Sequence, residues 1–391
     1  NLTIMSTKII YLDNQATTAV DPRVVEKMLP IFTEHYGNAA SRNHSFGWAA
    51  EELVDIAREH IGDLIQADSS EIIFTSGATE ANNLAIIGAA RQNRQNGNHI
   101  ITLKTEHKAV LDTCESLEKE GFSVSYLDVQ KDGIIDLDKL ESAIKSETIL
   151  ISIMHGNNEI GVIQPVAKIG KLCKSKGILF HVDAAQSVGK ISINVDEMGI
   201  DLLSISAHKM YGPKGIGCLY VRRKNPRVQL KAIIFGGGHE RGLRSGTLPV
   251  PLIVGFGEAC RICQESMIEE SAKITELRNR FLNGLNDRLD NISVNGSMEH
   301  RLPGNLNLTF NSTNGESMIM GLTDIAFSTG SACTSATIAP SYVLKAIGLS
   351  DKQAYSSVRF GIGRFNTGEE IDYTVKRISE TVKRLRGVAK S

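Results

Sequence analysis

Between Glu71 and Val221 the chain alternates short apolar runs with stretches of helical spacing, and the runs EIIFT, HIITL, SVSYLDV, TILISIM, ILFHV, IDLLSIS and CLYVRR are nearly unbroken. A strand with one wet face reads as alternating, so an unbroken run marks a strand covered on both faces. Helices between successive strands leave room for crossovers, which parallel pairing needs. The expected fold class is therefore α/β, a large domain with a mostly parallel sheet covered by helices. Ligands of such sheets sit beyond the carboxyl ends of the strands, so the residues just after each run are the candidates for chemistry.

Elsewhere, 8–12 reads as a short strand, Asp21-Pro22 as the cap and first residue of a helix, and 50–65 as an amphipathic helix. A long helix over about residues 251–289 carries the chain away from the first sheet, and the residues beyond it mix strands and helices as a smaller α+β domain. The boundaries expected are 16–260 for a large cofactor-binding domain, with 1–15 and 261–391 forming a small one. With 391 residues and 41% hydrophobic composition, the chain can bury one large core and a lesser one.

Lys and Arg total 43 against 44 Asp and Glu, so the balance gives no reason to expect direct nucleic-acid or membrane binding. The longest apolar run, Ile149 to Met154, is far short of the roughly 20 residues of a membrane helix. Asn1 to Thr7 lacks the basic start and apolar middle of a signal peptide and reads as a remnant before a start near Met5. The six cysteines are scattered and form no disulfide framework, which points to a reducing compartment. Cys260 and Cys263 form a C-x-x-C on a helix without a second ligand pair; no metal site is expected in the protein alone.

Asp183 ends one apolar run, and Lys209 follows another 26 positions later, in SAHKMYGPKGIG. A lysine and an aspartate at neighbouring strand ends suit pyridoxal 5'-phosphate: the amine forms a Schiff base with the aldehyde, and the carboxylate keeps the pyridine nitrogen protonated. Ser76-Gly77-Ala78-Thr79-Glu80 opens a helix after a strand, which makes a phosphate site or an ordinary capping box. Ser206 and His208 offer further phosphate donors, and Gln186 and Asn158 offer donors for the cofactor's phenolic oxygen; Asn158 is equally a loop residue or a substrate-carboxylate donor. His107, in TEHKAV, is placed to stack on the ring or to cap a helix. Cys333 lies in FSTGSACTSAT, whose small polar residues read as an exposed, mobile loop.

With these stand LDNQATT, GNAASRNHSFGWAAEE, NNEIG, GGGHERGLRSGTLPV and SSVRFGIGRF. Together the segments resemble the cysteine desulfurases of the IscS/NifS type, group I, within the class V aminotransferases, over Leu12 to Phe365. The resemblance implies a fold type I pyridoxal phosphate enzyme that converts L-cysteine to L-alanine. Lys209 would be the Schiff-base lysine and the base for the α-proton. Asp183 would face the pyridine nitrogen, His107 the ring, and Gln186 and Asn158 the phenolic side. Ala78, Thr79, Ser206 and His208 would hold the phosphate, and Thr247 would reach that of a neighbouring subunit in a homodimer. Arg359 would clamp the substrate carboxylate. The Cys333 thiolate would take the sulfur as a persulfide.

Implied partners are an iron-sulfur scaffold protein, with which Cys333 could share a cluster, and other sulfur acceptors, including those of tRNA thiolation. The implied place is the bacterial cytoplasm, or the mitochondrial matrix of a eukaryote. Two departures stand out. Gly156 replaces an apolar residue, and the chain stops just after its last helix, where many relatives continue into a scaffold-docking segment. Alternatives on the same fold are a selenocysteine lyase, an aminotransferase or a kynureninase-like hydrolase, none of which needs Cys333. A non-catalytic platform would tolerate loss of Lys209, Asp183 or Cys333, and all three are present.

Overall fold

The apolar runs pair into one seven-stranded sheet in the computed structural model, which describes residues 9–329 and 339–388. In chain order its first elements are β1 (Ile10–Tyr11), α1 (Pro22–Thr33), α2 (Ser45–Ile65), β2 (Ile72–Thr75), α3 (Ala78–Gln92), β3 (His99–Leu103), α4 (Lys108–Lys119) and β4 (Ser123–Leu127). There follow α5 (Leu137–Ala143), β5 (Thr148–Ser152), α6 (Val166–Lys176), β6 (Leu179–Asp183), β7 (Leu202–Ser206) and β8 (Gly217–Val221). The strand order is β2-β8-β7-β6-β5-β3-β4. From β7 to β4 every pair is parallel. β8 alone runs antiparallel to both neighbours. The link between β7 and β8 is too short for a crossover of a dozen or more residues, so β8 must run back alongside β7.

Successive residues of a strand serve opposite faces. Ile72, Phe74, Leu203 and Ile205 belong to one buried cluster, whereas Ile73, Leu202 and Leu219 belong to another on the far side of the sheet. That is why the runs are unbroken. α6 ends at Gly177, whose φ of 67° is the left-handed cap that glycine adopts without strain.

α7 (Val250–Asn286) is 37 residues long, about 55 Å at 1.5 Å per residue. Its first half packs Val250, Ile253, Phe256, Cys260 and Cys263 against the large sheet. Its second half packs Ile274, Leu277, Phe281 and Leu285 into a separate core. Around that core lie β9 (Ile292–Val294), β10 (Asn305–Phe310), α8 (Gly315–Gly321), β11 (Ile325–Ala326), α9 (Tyr342–Ala346), α10 (Asp351–Tyr355), β12 (Ser357–Gly361) and α11 (Gly368–Val388). β12-β10-β9 form an antiparallel sheet, and Phe360 lies 5.0 Å, centroid to centroid, from both Phe281 and Phe327. Full burial of each such ring contributes about 2–3 kcal/mol. Val343, Leu344 and Ile347 nevertheless pack into the core of the large sheet.

The chain's first strand belongs to neither large element. β1 pairs in parallel with β11, and Leu12 lies in the second core, but the next six residues cross to the carboxyl edge of the large sheet. Among the described residues no helix is long and apolar enough to cross a membrane.

Candidate active site

β2, β3, β5, β6 and β7 all point their carboxyl ends to one edge, and the residues after those ends line a cavity of about 510 Å³. That size suits a small cofactor with its substrate. The walls include Ser76 to Glu80, His107, Asn158, Asp183, Gln186, Ser206, His208, Lys209 and Arg359. Sequence segments far apart thus converge because the topology aligns their strand ends.

Asp183 is buried at the end of β6. Its Oδ2 accepts from Asn82 Nδ2 at 2.7 Å and its Oδ1 from the Ala185 N–H at 3.0 Å. Both bonds fix the carboxylate plane. Lys209 stands just past β7 and donates to the Gln15 and Ala16 carbonyls at 2.6 and 2.7 Å. His208 accepts or donates at Nδ1 to Thr17 Oγ1 at 3.1 Å, and burial, with Lys209 nearby, pushes its pKa down to about 4. Its imidazole is therefore neutral at neutral pH, with one N–H to give.

The first turn of α3 is the cup. Its N-cap, Gly77, has φ 150° and makes no side-chain cap bond, so Ala78 and Thr79 bring uncapped helix donors to the cavity wall. Gly217 closes the cup from behind: a Cβ there would sit 2.4 Å from the Ile205 carbonyl and 2.7 Å from Gly77 Cα. Glu80 is tied to the glycine-rich connection by Arg244, at 2.8 Å, and accepts from the Ser76 N–H at 2.9 Å. The pull of Arg244 and Ser76 outweighs burial and lowers the Glu80 pKa.

His107 is both things that its position allowed. It caps α4, its Nδ1 accepting from the Ala109 N–H at 3.1 Å, and it lines the cavity. Behind it, Glu106 is fully buried, and burial followed by the nearby Asp183 charge raises its carboxyl well above the usual range.

Arg359, on β12, donates to Asp13 Oδ1 at 2.8 Å and to the Asn158 carbonyl at 2.9 Å. Among the described residues its Nε is buried without a hydrogen-bond partner, as is Asn158 Oδ1. An unused donor on a fixed arginine and an unused acceptor beside it are what a ligand carrying both a carboxylate and an N–H would satisfy. Gly156 also belongs to this wall; a Cβ there would meet Leu302 Cδ1 at 2.9 Å, so a larger residue needs Leu302 to move.

Thr247 is exposed and does not line this cavity. Cys333 lies outside the described residues. Gln15, Ala16, Asn82 and Lys214 belong to the site without having been singled out by the sequence. Asn82 had a signal: it is a polar residue one turn after Ala78, on the buried face of α3.

A cavity of about 590 Å³ lies at the other end of the sheet, lined by Asp68, Asp196, Asp201 and Arg222 among others. There Arg222 donates to Asp196 and to the Val195 and Ile200 carbonyls, so its charge is already satisfied. Size alone does not locate the chemistry.

Next to Arg359, Glu159 is buried and accepts from Ser341 Oγ; burial raises its pKa to about 7, against 4.5 ordinarily. Below pH 4.5 it is neutral folded or unfolded. Between the two values only the unfolded chain ionises, so stability falls as pH rises, by about 3 kcal/mol in all. Glu159→Gln is expected to raise the melting temperature by a few degrees at pH 8 and leave it unchanged at pH 4.5. Equal shifts at both pH values would disprove the titration.

The cavity residues meet the needs of pyridoxal phosphate: an amine, a fixed carboxylate at the end of the adjacent strand, an uncapped helix start, and a flat imidazole. The family model Aminotransferase class-V matches residues 10–374. "Cysteine desulfurase IscS" of Mannheimia succiniciproducens is 61% identical over 382 residues, which is 97% of this chain and 94% of that protein. A structure described as "NIFS-LIKE PROTEIN" superposes with a TM-score of 0.90 at 37% identity, covering 96% of this chain and 100% of the other. "SspA in complex with cysteine" gives a TM-score of 0.80 at 40% identity, covering 92% and 100%.

Proposed function

The chain belongs to the class V aminotransferase family, and from that footing we infer that it is a pyridoxal phosphate-dependent cysteine desulfurase, converting L-cysteine to L-alanine. The carrying observation is the convergence of Lys209, Asp183, the α3 cup and Arg359 on one cavity. When bound, the cofactor supplies an aldehyde for an amine to capture and a ring that accepts electrons.

Lys209 Nζ provides the amine and moves the proton at the substrate α-carbon. Asp183, held by Asn82 and Ala185, would present a carboxylate oxygen to the ring nitrogen. Ala78, Thr79, Ser206 and His208 would hold the phosphate, His107 would cover the ring, and Gln186 and Asn158 would serve the phenolic side. Arg359 pairs with the substrate carboxylate. The Cys333 thiol takes the sulfur: the carbon–sulfur bond of cysteine breaks, a sulfur–sulfur bond forms, and the proton count closes with alanine and a persulfide.

The same reading makes the protein a homodimer in which each Thr247, exposed on its own chain, reaches the phosphate of the partner's site. It places 16–260 around the cofactor, with 1–15 and 261–391 carrying the Cys333 segment. The acceptors are an iron-sulfur scaffold protein and other sulfur carriers, in a bacterial cytoplasm; the bacterial origin of the "Cysteine desulfurase IscS" relatives supports the latter.

Incubation of the purified protein with L-cysteine and a thiol reductant tests the reaction. Sulfide and alanine are expected in equal amounts, accompanied by the cofactor's visible absorbance. Sulfide without alanine would overturn the assignment.

A further inference from the structure

Gln186 is a wall residue whose side chain must face a definite way to be useful. An amide presents a donor at one end and an acceptor at the other, and only the donor end stabilises a phenolate. Gln186 Nε2 donates to the Gln15 carbonyl at 2.9 Å, the same oxygen that accepts from Lys209 Nζ at 2.6 Å. Gln186 Oε1 accepts from Lys190 Nζ at 3.3 Å.

Lys190 is placed for this by its local backbone. Successive turns over 184–191, closed by Ser187 N–H to the Ala184 carbonyl and Lys190 N–H to the Ser187 carbonyl, bring it behind Gln186. Its own carbonyl accepts from Ser271 Oγ on α7 at 2.5 Å. Lys190 does not line the cofactor cavity but a small neighbouring cavity, with Gln15, Tyr211 and Glu270. It is a buried amine with no assigned task. Burial, then the charge of Lys209, pushes its pKa down to about 7. Charged or neutral, it can donate to Oε1, and the Gln15 carbonyl can only accept. Both contacts therefore select the same amide orientation.

We propose that Lys190 is a positioning residue that fixes the Gln186 amide with its oxygen turned away from the cavity, so that an N–H faces the cofactor's phenolic oxygen. This rests on the cofactor assignment above and names what orients one of its contacts. Without Lys190 only the Gln15 carbonyl opposes reversal of the amide, and in the reversed form an oxygen would face the phenolic oxygen.

The test follows the visible absorbance of the cofactor-loaded protein across pH, which titrates with protonation of the linkage to Lys209. Losing a donor to the phenolic oxygen disfavours its anionic form and raises that midpoint. Lys190→Met is expected to raise it by about one pH unit, and Gln186→Ala by a similar amount. The double variant should shift no further than Gln186→Ala, because Lys190 acts only through the amide. Lys190→Arg, which keeps a donor, should restore most of the parent midpoint. Lys190→Leu replaces Lys190→Met should the latter not fold. A parent protein without the absorbance band overturns the cofactor assignment and this inference with it. A parent band that Lys190→Met leaves unmoved, or shifts additively with Gln186→Ala, overturns the inference alone.

Discussion

Lys209→Ala is expected to lower alanine formation from L-cysteine by at least about 10³-fold, since one side chain supplies both the amine and the proton transfer. The other two nearby amines cannot stand in. Lys190 is held on the far side of Gln186, and Lys214, though on the cavity wall, is exposed at the chain's turn into β8. The substitution also leaves the Gln15 and Ala16 carbonyls without their lysine donor, a cost of about 1–3 kcal/mol for an unsatisfied group, so folding is checked by melting temperature. The measurement is single-turnover alanine production with cofactor added in excess. Activity within tenfold of the parent would remove Lys209 from the mechanism.

Cys333→Ser is expected to abolish persulfide formation and reduce sulfide release by about 10²-fold or more, with the cofactor's absorbance intact. The case comes from the other five thiols. Cys114, Cys173, Cys218, Cys260 and Cys263 are all buried. Burial raises each pKa, to about 12 for Cys114 and about 11 for Cys263 despite the adjacent Arg364. A thiolate is the attacking species, so these five are poor nucleophiles, and none lines the cofactor cavity. That leaves Cys333. Mass spectrometry after cysteine treatment locates the extra sulfur; finding it on a buried cysteine in the serine variant would defeat the assignment.

Much of the fold was legible because the strands of the large sheet, the edge strand β4 apart, are buried on both faces, which writes most of them as nearly unbroken apolar runs. Asp183, Ser206 and Lys209 were legible for the same reason, since strand ends announce themselves. The start of α2 at Ser45, five residues before its apolar spacing becomes clear, was not: its cap is His44, whose Nδ1 accepts from the Gly47 N–H, and histidine is not an ordinary capping signal. The direction of β8 depends on the length of a turn rather than on composition. β1 and β11 are two residues each, too short for any periodicity, and pair across most of the chain. Asn82 and Lys190 were hidden because they act on other side chains, and a single sequence shows spacing but not who faces whom.

The strap from β1 to Thr18 has a consequence for how the molecule is made. It supplies Asp13 to Arg359, 346 positions away, and the Gln15 and Ala16 carbonyls to Lys209, more than 190 positions away. On the ribosome these residues emerge well before either partner and must wait for it. The catalytic edge therefore closes only after β12 has left the exit tunnel. A large sheet formed before β12 is made therefore has its strand-end residues in place but lacks Arg359, and the side of the cavity where Arg359 stands is the last to be completed.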